Sequence, residues 1–138
     1  MKNLSSKGSC LCGGIKFFTK GLHRHISNCH CSQCMKTHGN FAAYTMIKNK
    51  NIKFLSKKTL KWFKSSKKAK RGFCNKCGAS AFFKSDNSDN IHISAGLFNK
   101  SLKLKTVRNI FTKNKLKYYK LDKEIPKYNR YSYLDKSG

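Results

Sequence analysis

The stretch GSCLCGGIKF, Gly8–Phe17, sets Cys10 and Cys12 one residue apart, directly before a pair of glycines. A second pair stands far downstream in FCNKCG, Phe73–Gly78, where Cys74 and Cys77 are two residues apart and again followed by glycine. Between them CHCSQC, Cys29–Cys34, packs three more sulfurs into six residues. C-x-C and C-x2-C pairs are spacings at which thiolates share one tetrahedral zinc. Cys10, Cys12, Cys74 and Cys77 are therefore expected to form a structural zinc site that draws two distant parts of the chain together. Glycine after each pair lets the backbone curl so that its N–H groups point at sulfur.

That allocation leaves Cys29, Cys31 and Cys34 with no fourth cysteine, the pattern of a second zinc with one position open to water or substrate. A histidine could close this site instead. His30, flanked by two ligands in an extended segment, would point away from them. His38, four residues after Cys34, could reach if SQCMKTHG is helical, with Ser32 as N-cap and Gly39 as stop. His30 and His38 are also the nearby candidates for catalytic proton transfer, because no carboxylate precedes Asp86.

The length of 138 residues suits a single domain, with its core expected over about 6–128. The N-terminal MKNLSSKGSC lacks the apolar run of a signal peptide, and the apolar stretch Phe41–Ile47 is too short to span a bilayer. A cytoplasmic protein without membrane association is expected. There thiols stay reduced, and an odd count of 7 cysteines argues for metal over disulfides.

Short runs rich in β-branched and aromatic residues recur at 15–19, 41–47, 52–55, 60–63, 80–84 and 91–95, so the chain reads as mostly β. In the last run Ile91, Ile93 and Ala95 would face the core while His92 and Ser94 face away. Phe17, Phe41, Trp62, Phe73 and Phe82 read as core. His23, His25 and His92 show no partner and read as surface or strand-face residues. Beyond Gly96 the pattern loosens into one or two further strands, a closing segment and a frayed end.

The formal charge of +26 would ordinarily announce a polyanion partner. KKTLKWFKSSKKAKR, Lys57–Arg71, sets eight basic residues among fifteen around Trp62 and Phe63, which gives the rival reading of a basic zinc module that binds nucleic acid without catalysis. Against it, Lys is abundant throughout while Arg and Pro are scarce, as in a chain whose surface has drifted toward lysine, and charged hairpin faces are commonly solvated.

GSCLCGGIKF, CHCSQCMKTHG (Cys29–Gly39), FCNKCG and ISAGLFN (Ile93–Asn99) follow one another in an order that resembles the glutathione-dependent formaldehyde-activating enzyme family, which includes centromere protein V-like proteins. The resemblance covers roughly Ser6–Tyr128. It implies a β-tent of small antiparallel sheets with few short helical turns, a structural zinc on Cys10, Cys12, Cys74 and Cys77, and a second zinc on Cys29, Cys31 and Cys34. The activity it implies is that of a carbon-sulfur lyase joining formaldehyde and a small-molecule thiol such as glutathione into S-hydroxymethylglutathione. The sequence departs from the family at two places: Asn109-Ile110 stands for a frequent His-Ile pair, and Tyr118 or Tyr119 for a late Trp. Oligomeric state is not legible.

Overall fold

A computed structural model describes residues 1–131; the expected frayed end lies outside the described residues. The chain runs β1 (Lys2–Ser9), β2 (Ile15–His23), β3 (Ile26–Cys29), α1 (Ser32–His38), β4 (Ala42–Lys48), β5 (Ile52–Lys57), β6 (Leu60–Ser66), β7 (Ala69–Cys74), β8 (Ser80–Ser85), β9 (Asn90–Ser94) and β10 (Thr106–Ile110). The expected strand runs fall in strands except at Phe41, which precedes β4, and Ala95, which opens a 3-10 turn after β9, and α1 is the single α-helix among the described residues. No helix there is long and apolar enough to cross a membrane.

The strands form two sheets. One has the order β1-β2-β5, the other β10-β3-β4-β9-β8-β7-β6. Pairing is antiparallel except between β10 and β3, which run parallel from Thr106↔Ile26 to Ile110↔Cys29. That pair brings the late strand beside the first ligand of the CHCSQC stretch.

Strand β2 shows how the core is made. Ile15, Phe17 and Thr19 are buried while Lys16 and Lys20 are exposed, the period-two pattern of a sheet with one covered face. Phe17 meets Phe82 and Phe98 edge to face, at centroid distances of 5.6 and 5.4 Å, a geometry favoured by ring quadrupoles. Ile47, Ile91 and Ile93 complete this cluster, which also takes in Cys10 and Cys74. A second cluster gathers Cys29, Cys34, Ala42, Tyr44 and Ile110. Phe17 and Phe82 are core as expected, whereas Trp62, Phe73 and Phe41 are only half-buried.

The unassigned histidines need correction, since all three find partners. His23 is fully buried, with Nδ1 2.8 Å from the Gly21 carbonyl oxygen and Nε2 2.8 Å from Thr19 Oγ1; these two hydrogen bonds make its burial tolerable. His25 Nδ1 accepts from the Lys105 N–H at 3.2 Å. His92 does lie on the face opposite Ile91 and Ile93, but Tyr44 and Phe83 pack edge-on against its ring.

Candidate metal centres and the cavity beside them

Cys10 and Cys12 sit in the turn between β1 and β2, and Cys74 and Cys77 in the turn that ends β7. Their four sulfurs all lie within 4.8 Å of one another. Gly13 (φ 81°) and Gly78 (φ 78°) take the left-handed conformation that reverses the chain at each pair and that a side chain would oppose. The reversal aims N–H groups at sulfur: Ile15 N lies 3.3 Å from Cys10 Sγ, and Cys77 N 3.2 Å from Cys74 Sγ. Four sulfurs with satisfied backbone donors form a closed set that suits zinc.

Cys29, Cys31 and Cys34 form the second group, their sulfurs also within 4.8 Å. Cys29 ends β3, and Cys31 rather than Ser32 caps α1, its sulfur accepting from the Cys34 N–H at 3.3 Å. Thiolate is a better acceptor than hydroxyl for these unpaired amides, so the ligand displaces the neighbouring serine as cap. The helix stops, as expected, at Gly39 (φ 79°), whose N–H reaches the Met35 carbonyl. The three thiols do not ionise alike. Hydrogen bonds from Cys29 and then Cys34 hold the Cys31 thiol far below its ordinary range, while the same sharing pushes Cys29 up. The all-sulfur donor set again suits zinc.

Neither candidate histidine stands with these sulfurs. His30 is fully buried and points away from Cys29 and Cys31, as its place between them implied. Its Nε2–H donates to Asn109 Oδ1 at 2.8 Å, which leaves Nδ1 to accept from the Tyr119 hydroxyl at 2.5 Å. Phe41 packs on the ring at 5.1 Å. Asn109 and one of the two tyrosines that could stand for the late Trp thus meet on one imidazole. His38 lies on α1 with Nε2 2.9 Å from the Tyr44 hydroxyl. Burial and the nearby Arg71 hold it neutral, down to about 4, so Tyr44 O–H donates to it.

A cavity of about 540 Å³ opens beside the three sulfurs, within the range of small-molecule sites. Arg24, Lys68 and Arg71 line it, with Ser27, Tyr44, Phe83 and Phe111, and among the described residues no carboxylate does. Phe111 follows Ile110 with φ 55°, a conformation that costs a bulky residue energy and recurs at functional sites. Arg71 is the residue that sequence reasoning misplaced. Counted there as one charge in a basic surface run, it is 7% exposed and hydrogen-bonded to Cys34 Sγ at 3.5 Å. Its position three residues before Cys74 was the available signal.

Comparison with known proteins agrees with this geometry. No curated protein matches the chain. A crystal structure of a Rhodobacter sphaeroides protein, solved as a structural-genomics target, superposes with a TM-score of 0.62 at 17% identity, covering 88% of this chain and 98% of that one. At that identity the likeness is one of fold. The sequence pattern of the glutathione-dependent formaldehyde-activating enzymes matches residues 5–114, a span that holds all seven cysteines, both sheets and the cavity's cations. The chain belongs to the glutathione-dependent formaldehyde-activating enzyme family.

Proposed function

We propose that the protein is a zinc-dependent carbon-sulfur lyase that forms or cleaves a thiol–formaldehyde adduct such as S-hydroxymethylglutathione. The observation that carries this reading is a three-sulfur cluster opening on a cavity lined by Arg24, Lys68 and Arg71, with no carboxylate among the described residues. Cys29, Cys31 and Cys34 would hold a zinc ion, which supplies Lewis acidity that favours the thiolate form of a substrate thiol. Cys10, Cys12, Cys74 and Cys77 would hold a structural one.

Lys68 and Arg24 at the cavity draw in an anionic thiol and hold its carboxylates, so that its sulfur rests near the cluster. Substrate sulfur then bonds to the formaldehyde carbon as the carbonyl π pair moves onto oxygen. The proton balance closes internally, because the proton lost from sulfur is the one the new alkoxide takes up. In this reading His30 and His38 contribute through position. His30 pins the ligand loop to β10 and Tyr119, while His38 anchors α1 through Tyr44. The cytosol is the compartment that suits reduced thiols.

The test is exchange spectroscopy on glutathione mixed with carbon-labelled formaldehyde, in which the spontaneous adduct already forms slowly. Zinc-loaded protein should accelerate interconversion and Cys34→Ser should not. Equal exchange with and without protein would overturn the reading.

The second reading, nucleic-acid binding, is favoured by Phe63, 59% exposed on the β6–β7 hairpin among Lys61, Lys64, Lys67 and Lys68. Three of the run's cations are otherwise engaged: Lys57 lies over the Phe54 ring at 5.6 Å, Lys70 over the Trp62 ring at 4.5 Å, and Arg71 is buried. Duplex DNA should bind weakly, with affinity collapsing toward about 150 mM salt; a Kd near 10⁻⁸ M there, on the order of a specific reader's, would favour this second reading.

A further inference from the structure

A buried guanidinium ordinarily sits against a carboxylate, since it keeps its charge at any physiological pH and desolvation costs several kcal/mol unless something offsets it, on the order seen for buried ions. Among the described residues no carboxylate pairs with Arg71. Its hydrogen bonds among the described residues go from Nη1 to Tyr44 Oη (3.2 Å) and Thr37 Oγ1 (3.4 Å), and from Nη2 to Gln33 Oε1 (3.3 Å) and Cys34 Sγ (3.5 Å). Of those four acceptors the Thr37 hydroxyl and the Gln33 amide cannot ionise near neutral pH and burial keeps the Tyr44 hydroxyl protonated, which leaves the cysteine as the one that takes a full negative charge when it holds a metal. The Phe83 ring covers the guanidinium at 5.1 Å, excluding water from one face.

The placement is also mechanical. Arg71 belongs to β7, which ends at Cys74, and three of its four acceptors lie on α1, the helix that carries Cys34. One side chain therefore ties the strand of the four-cysteine site to the helix of the three-cysteine site.

We propose that Arg71 is the counter-charge of the three-cysteine site, a positioning residue that fixes the Cys34 sulfur and stabilises the cluster in its anionic, metal-bearing form. A divalent metal on three thiolates keeps one net negative charge, which one guanidinium balances. Charge and fork both matter: the planar donors set the sulfur's direction relative to α1, and a lysine at this position would keep the charge but lose that geometry. The inference rests on the metal-holding part of the proposed function and not on the thiol reaction. It can therefore fail while the lyase reading stands, and the reverse.

The experiment uses the full chain loaded with two equivalents of cobalt, chelator competition being followed by the thiolate-to-cobalt absorption. Arg71→Met should lower second-site affinity about 10- to 100-fold, the usual loss when an outer partner of a ligand is removed, and spare the first site. Arg71→Lys should recover part of it. A thermal double-mutant cycle adds a readout that a merely structural arginine would not move. Cys34→Ser leaves Arg71 as an uncompensated buried charge, so Cys34→Ser with Arg71→Met should melt higher than Cys34→Ser alone. Unchanged second-site affinity in a folded Arg71→Met protein, or additive melting shifts, would overturn the proposal. Should Arg71→Met fail to fold, Arg71→Lys decides: a loss confined to the second site supports it, and no loss or equal loss from both sites overturns it.

Discussion

At the four-cysteine site the sulfurs come from two turns, Cys12 and Cys74 lying 62 residues apart, and their neighbours are backbone amides and one uncharged hydroxyl, Thr59 Oγ1 at 3.1 Å from Cys74 Sγ. At the three-cysteine site all the sulfurs come from one stretch at the junction of β3 and α1, and a side-chain cation from another strand completes the surroundings. The first arrangement exists only once the chain has folded, so metal bound there contributes directly to folding. The second is assembled largely from neighbours in sequence and opens on a cavity, so metal there can come and go with less effect on the fold. Ligand number and sequence separation thus divide labour between a clamp and a reactive position.

The largest expected effect breaks the clamp. Cys77→Ser should leave the protein unfolded or insoluble, because structural zinc sites contribute about 10–16 kcal/mol against a net domain stability of about 5–15 kcal/mol. Cys34→Ser should stay folded with one metal equivalent and melt several degrees lower. Thermal melting and metal content check both, and equal damage from the two changes would erase the distinction.

Acid should sharpen the comparison from the fold's side. Burial, with Arg24 nearby, holds His92 at about 3 in the folded protein against an ordinary 6.5, and its Nδ1 has no partner to receive a proton's bond. The unfolded chain therefore binds the proton first. This contribution to stability is complete above the ordinary value and is lost as pH falls below it, by about 2 kcal/mol between about pH 7 and about pH 5. His92→Phe should flatten that part of the stability–pH curve; parallel curves for variant and wild type would contradict it.

The smallest effect concerns the latch on the ligand loop. Tyr119→Phe removes the hydroxyl that donates to His30 and should cost about 1 kcal/mol, the net worth of one hydrogen bond. Metal affinity should fall at the second site and not at the first. A loss spread over both sites would deny His30 its local role.

The division of the cysteines was legible because metal spacing is local: Cys10-x-Cys12 and Cys74-x2-Cys77 announce themselves without tertiary information. Strands whose faces alternate were legible for the same reason. β1 was not, since KNLSSKGS is polar along its length and becomes a strand only by pairing with β2. β3 was missed, and β10 was expected only as a further strand somewhere beyond Gly96, because both are short and their parallel register, Ile110↔Cys29, joins segments that nothing in their own composition relates. Arg71 and His23 failed differently. A buried polar residue is identified by its partners, and Cys34 for one and Thr19 for the other meet it only in the fold. Asn109 and Tyr119, unrelated in sequence, became one feature when both closed on His30.

The central claim is that the three-cysteine site alone receives a thiol. It is tested most directly by titrating glutathione into the cobalt-substituted protein under reducing, metal-buffered conditions while both metal equivalents are followed. The account predicts that one equivalent changes its absorption or is released, that the other is spared, and that Cys31→Ser abolishes the response. A titration that alters neither metal, or both together, would contradict it and leave CHCSQC as a second structural clamp.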